Sequence, residues 1–216
     1  TPHSSRMTGK KILREWGPTF LRNTWKGGDR RTLRCLGGEE FDLSLVWGIP
    51  RRCSFGVPQV VACAPLRRGK PFPTNWWLVC PFLREQCARE EELGGVQELE
   101  TFLLPRGEAW RAYARRHALW RLAQLPRGTK AFLFRHRPGF WKALVSTGPG
   151  GICSIETPRV KCLHLQMASW LIWRDHPGGP WLAQHFPQLQ CPSPGRCRVE
   201  RDANDERRTQ REVRCP

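Results

Sequence analysis

Pro81 stands at the boundary between an extended apolar stretch, Phe72 to Val79, and a segment of helical character, Phe82 to Leu93. Proline lacks a backbone N–H and holds φ near the helical value, so it suits the first turn of a helix and breaks a helix interior. The junction therefore predicts a strand that runs directly into a helix, with Cys80 at or beside the N-cap. Unpaired N–H groups and the helix dipole at that place favour a thiolate, which makes Cys80 the leading candidate for chemistry.

Upstream, Leu43 to Trp47 and Val57 to Cys63 are apolar and partly β-branched, separated by Pro50, Arg51, Arg52 and the turn Ser54-Phe55-Gly56. They read as a hairpin, to which Phe72 to Val79 adds a third strand. Downstream the pattern turns helical. The helix from Pro81 is expected to stop at Gly94-Gly95, Val96 to Leu104 to make a short helix before Pro105, and Glu108 to Leu125 a longer one ended by Pro126. Ala131 to Phe134 is too short to assign, and Phe140 to Val145 reads as a helical turn. Val160, Leu163, Met167 and Leu171 form one stripe and predict a buried helix over Arg159 to Trp173, followed by a short amphipathic piece, Trp181 to Phe186.

The expected fold class is α+β, a small antiparallel sheet with several helices packed on it. Residues 1–40 read as a basic, partly ordered extension and 41–190 as a single domain. Residues 191–216 read as a disordered charged tail, because beyond Pro192 too few large apolar side chains remain to offset the entropy of ordering.

The 216 residues carry 36 Lys+Arg against 19 Asp+Glu, a net charge of +17, of which residues 1–34 hold +7. That excess admits polyanions such as RNA, polyphosphate or an anionic membrane surface, beside the plain alternative of a solvated arginine-rich exterior. No compact nucleic-acid motif accompanies it. No apolar run approaches the ~20 residues that span a bilayer, so no transmembrane segment is expected, and residues 1–25 lack the apolar core of a signal peptide. The ten cysteines are irregularly spaced without a Cys-x-x-Cys pair, so reduced thiols and a cytoplasmic location are expected. The chain opens on Thr1, which is compatible with a natural start at Met7 or with a start inside a longer frame.

The block Pro71-Phe72-Pro73-Thr74-Asn75-Trp76-Trp77-Leu78-Val79-Cys80-Pro81 resembles the signature of a bacterial family, domain of unknown function 501. Arg52-Cys53 with Gly56-Val57-Pro58 precedes it, and Gly148-Pro149-Gly150-Gly151-Ile152 and Val160-Lys161-Cys162-Leu163-His164 follow, in the family's order and over roughly residues 45–185. The resemblance implies a bacterial intracellular protein and carries no activity with it. Where some members have a second cysteine after Arg-Cys and a second histidine after Cys-Leu-His, this chain has Ser54-Phe55 and Gln166.

Within these blocks, Cys53, Cys80, Cys162 and His164 are candidate ligands of a Cys₃His zinc site. A helix running through Arg159 to Trp173 would set Cys162 and His164 about 200° apart, so both can ligate one ion only if that helix starts later. A second reading makes Cys80 a nucleophile or redox centre with His164 or His117 as proton acceptor, and a third makes the thiols buried structure. Gly148, Gly150 and Gly151, with Lys161 nearby, can bring backbone N–H groups against a phosphate, although the loop lacks the ending of a P-loop. Glu90, Glu91 and Glu92 read as exposed helix charge, and no Ser/His/Asp triad is apparent. The sequence thus points to a Cys/His and Gly-loop site for an anionic or phosphorylated ligand, with a non-catalytic RNA or polyphosphate binder and a zinc-binding structural protein as the competing classes.

Overall fold

The computed structural model describes residues 21, 24–37, 41–146, 156–192 and 197. In chain order the strands are β1 (Val46–Arg52), β2 (Pro58–Cys63), β3 (Leu66–Arg67), β4 (Lys70–Pro71) and β5 (Trp76–Leu78). β1, β2 and β5 form an antiparallel sheet with β2 in the middle, and β3 and β4 make a separate small ribbon. This is the three-stranded sheet that the apolar, partly β-branched stretches and the turns between them predict.

Every residue of β2 is buried. Side chains along a strand alternate between faces, so both faces of the sheet must be covered at its centre. Val60 and Ala62 join Trp76 and Leu78 in the main core against the helices. Val61 and Cys63 join Val46, Ile49 and Val79 in a second core. The second cover comes from the N-terminal residues: helix α1 (Asp29–Gly37) contributes Leu33, and Trp25 packs beside it.

Polar contacts hold that cover in place. Thr24 Oγ1 accepts the Ile49 N–H at 2.7 Å, and Trp25 Nε1 donates to the Trp47 carbonyl at 3.2 Å. A side chain at Gly48 would run into the Leu21 backbone carbonyl, so only glycine lets the segment pass across β1. Arg52 clamps Asp29 with both terminal nitrogens, at 2.9 and 2.6 Å, and also donates to the carbonyls of Thr24 and Gly56. Residues 24–37, read from the sequence as part of an extension, are thereby docked on the sheet.

The Cys80-Pro81 junction is as expected. Cys80 is the N-cap of α2 (Pro81–Glu92), and Gly94 at φ 92° turns the chain into α3 (Gly95–Leu103). There follow α4 (Gly107–Gln124), α5 (Arg127–His136), α6 (Pro138–Ser146), α7 (Leu163–Ile172) and α8 (Gly179–His185). α5 and α6 are longer than their sequence signal because each buries a single leucine, Leu133 or Leu144, which leaves almost no periodicity to read. None of the helices among the described residues is long and apolar enough to cross a membrane.

α7 is the innermost helix, with Leu163 and every residue from Leu165 to Leu171 buried. It starts at Leu163, four residues later than the stripe predicts. Cys162 is extended, at φ −158° and ψ 154°, and the preceding Val160 N–H is captured by the Glu100 carboxylate at 2.7 Å, off the helical path. The reduced-thiol expectation holds for Cys53, Cys63, Cys80, Cys87 and Cys162 and fails for Cys35, which is disulfide-bonded. Irregular spacing carries no information on that point, because pairing depends on proximity in the fold.

Two histidines are sealed in the main core. The Gly178 N–H donates to His176 Nδ1 at 2.9 Å, which puts the ring proton on Nε2, and that atom donates to Gln166 Oε1 at 2.8 Å. Asn75 Nδ2 donates to His117 Nδ1 at 2.7 Å. Burial first and nearby arginines second hold both rings neutral: the His117 pKa lies well below the ordinary value, and that of His176 falls to about 3.

Two outcomes follow from this packing. Asp29→Ala strands the Arg52 guanidinium and is expected to destabilise the fold by about 3 kcal/mol in urea titrations, whereas Arg89→Ala, which removes an exposed pair with Glu85, costs under about 0.5 kcal/mol. An unfolded chain takes up protons on His117 and His176 near pH ~6.5, which the folded state refuses. Stability is therefore complete above that pH and declines toward pH ~3, by up to about 1.4 kcal/mol per unit for each ring. Urea midpoints measured from neutral to acid pH should show this decline, and His176→Gln should make it shallower; a flat profile would contradict the neutral-core assignment.

Candidate functional site

The start of α7 places three ligand-type side chains together. Its first N–H groups lack partners within the helix, and Glu91, from the last turn of α2, supplies one: its carboxylate accepts the Leu163 N–H. The same oxygen lies 3.0 Å from His164 Nδ1. A carboxylate can only accept, so Nδ1 carries a ring proton, and in the neutral ring Nε2 keeps the lone pair. Because Cys162 is the extended N-cap rather than a helical residue, its sulfur falls beside this pair, and the ligand atoms of Glu91, Cys162 and His164 all lie within 4.8 Å of one another. The condition that the helix start late for Cys162 and His164 to converge is met.

Burial pushes the Cys162 thiol up, against the pull of the Leu165 and His164 backbone N–H groups and of Lys161. The arrangement is thus a carboxylate-held imidazole beside a neutral thiol. It can accept a proton at Nε2, hydrogen-bond an anion, or hold a cation through three donors with a fourth position open.

Cys162 and His164 border a groove of about 360 Å³, within the size range of small-ligand sites. Thr74 and Trp77 form another part of its lining, and Arg84 and Lys161 add two exposed cations. Both signature blocks, around Trp77 and around Cys162, meet here. Gly148, Gly150 and Gly151 lie outside the described residues.

Cys53 and Cys80 border a different, smaller cavity, with Val57, Pro58 and Gln59. The four predicted zinc ligands therefore divide into two pairs. Cys80 is 6% exposed, and burial raises its thiol although the Phe82 and Leu83 N–H groups pull the other way. That reverses the thiolate expected from its N-cap position, because desolvation outweighs the helix start. Among the described residues no histidine lines its cavity, and His117 is engaged with Asn75 in the core. A second histidine cluster, Glu90, Glu98 and His185, sits on the surface of α2, α3 and α8, with His185 Nδ1 2.6 Å from Glu90.

Glu91 and Arg84 are the site residues that motif reading misses. Glu91 lies in a run of three glutamates, 72 residues before its partner Leu163, and no local pattern separates it from solvated charge.

No curated protein and no solved structure matches the chain. A family model described as protein of unknown function (DUF501) matches residues 49–184, which takes in Cys53, Cys80, Glu91, Cys162, His164 and the groove. With well over half its length covered by that model, the chain belongs to the DUF501 family.

Proposed function

We propose that the groove at the start of α7 binds a small phosphorylated or otherwise anionic ligand. The observation that carries the reading is the meeting of two cations, Arg84 and Lys161, with a carboxylate-oriented imidazole on one groove of ligand size. Lys161 anchors negative charge, His164 adds a positioned polar nitrogen, and Trp77 offers an apolar face to the body of the ligand. The Gly148 to Gly151 loop joins the reading from sequence alone, as a source of backbone N–H groups close to Lys161.

Calorimetric titration of the whole chain with pyrophosphate is the direct test. A charge-assisted contact is worth about 1.5–3 kcal/mol, so Lys161→Ala should weaken binding about tenfold or more, and Gly150→Val should weaken it further by blocking close approach. Binding that is indifferent to both substitutions would reject the groove as the anion site.

A second reading has its own support. Residues 109–155 contain no acidic side chain, and within them α5 exposes Phe132 and Phe134 at 53% and 63% among Arg127, Lys130 and Arg135. Exposed aromatics interleaved with arginines suit single-stranded RNA, by stacking and by counterion release. In that case RNA affinity should fall steeply with salt, and Phe134→Ala with Arg135→Glu should reduce it at least about tenfold. Retention of affinity in that double variant would remove α5 from consideration.

A further inference from the structure

We infer that Glu91, Cys162 and His164 together bind a Zn²⁺ ion whose fourth position opens on the groove. Capping of α7 accounts for the bond from the Leu163 N–H to Glu91, but not for two further ligand-type side chains gathered at the same carboxylate, with all three ligand atoms within 4.8 Å of one another. His164 Nδ1 and Glu91 Oε1 lie 3.0 Å apart. Two ligands on one tetrahedral ion, at bonds of ~2.0–2.3 Å, stand about 3.3–3.8 Å apart, so the ion fits once it takes the place of the Nδ1 proton and the side chains turn slightly.

Each donor is held by something other than the ion. The Leu163 N–H fixes Glu91 Oε1, and the carboxylate keeps further lone pairs for a cation. Cys162 is set by the extended backbone ahead of α7, and the Leu165 and His164 N–H groups, together with Lys161, favour its thiolate. Backbone hydrogen bonds to ligating atoms are the outer support on which metal sites rely. The side chains of His164 and Glu91 are 32% and 26% exposed, which leaves the ion a way in.

The donor set selects the ion. Calcium and magnesium take oxygen ligands, and copper(I) and iron–sulfur clusters favour several sulfurs, whereas zinc accepts one thiolate, one imidazole and one carboxylate together. The carboxylate and the thiolate balance the two charges of the ion, so Arg84 and Lys161 keep theirs for a ligand in the groove. Binding releases the Cys162 proton, the neutral His164 ring moves its proton from Nδ1 to Nε2, and no electron is transferred. Cys162 and His164 line the groove, so three protein ligands leave the fourth position to water, as in zinc sites that do chemistry rather than in closed structural ones. That an oxygen of the anionic ligand displaces this water rests on the reading above; the ion itself does not.

The test uses the full chain, reduced and stripped of metal with a chelator, and contains no phosphate or pyrophosphate, so its failure is separate from failure of the anion titration. Cobalt should bind at about one ion per chain, with the visible bands of a tetrahedral centre and a near-ultraviolet thiolate band, and zinc should displace it. Cys162→Ser should lose the thiolate band, and His164→Ala should weaken zinc binding by more than about 100-fold, beyond what loss of a supporting contact costs. Glu91→Gln can still accept from the Leu163 N–H and so keeps the α7 cap, yet it should weaken zinc in the same way. Zinc should also shield Cys162 of the unaltered chain from alkylation, a readout that needs no variant. His185→Ala, in the other Glu/His group among the described residues, should leave the affinity unchanged. Failure to take up cobalt or zinc, a thiolate band that survives Cys162→Ser, or loss of the ion with His185→Ala would each overturn the assignment.

Discussion

A strand buried on both faces at the centre of a three-stranded sheet sets the terms for the rest of this molecule. β2 has no face to leave in water, so the chain must supply two layers, and it draws them from opposite ends of its sequence. The helices α4 and α7 cover one side; Trp25 and Leu33 cover the other. The second layer is thin, and a single ion pair between Arg52 and Asp29 takes over where apolar area is scarce. Because Arg52 is followed by Cys53, the same clamp also fixes the mouth of the β1–β2 turn.

The two cysteine centres are products of helix beginnings. Cys80 and Cys162 are both N-caps in extended conformation, and for each the following helical N–H groups pull the thiol pKa down while burial raises it by more, so the thiol stays protonated. What distinguishes them is company. Cys162 has a carboxylate and an imidazole beside it and opens on a groove with cations; Cys80 has other thiols beside it and an apolar wall. One local motif thus serves two kinds of site, and the difference is made by residues far away in sequence.

That division explains what could be read in advance. The Cys80-Pro81 junction, the Gly94 stop and the apolar runs around the Ser54-Phe55-Gly56 turn are local signals, and the sheet and α2 follow from them. The start of α7 was hidden because the apolar stripe continues through Val160, whereas the helix is delayed by a side chain from α3, Glu100. Glu91 was hidden for the same reason, its role being defined by a backbone N–H on another helix. Cys191 comes to the cavity of Cys53 and Cys80 because the residues just before it are held on the hairpin, Leu189 by Gln59 and Gln190 by Ser54, contacts between residues 130 and 136 apart that no local pattern shows.

α2 carries Cys80 at its head and Glu91 at its foot, eleven residues apart, or roughly 16 Å along the axis. Helices bend little over such a length, so α2 behaves as a strut between the cysteine cavity and the groove. Glu91 is bonded to the first residue of the innermost helix, and Cys80 to the central strand, so the strut is seated in the core at both ends. A displacement of its head along the axis is delivered undiminished to the carboxylate that aims His164. Geometry at one end of the rod is therefore inherited by the other.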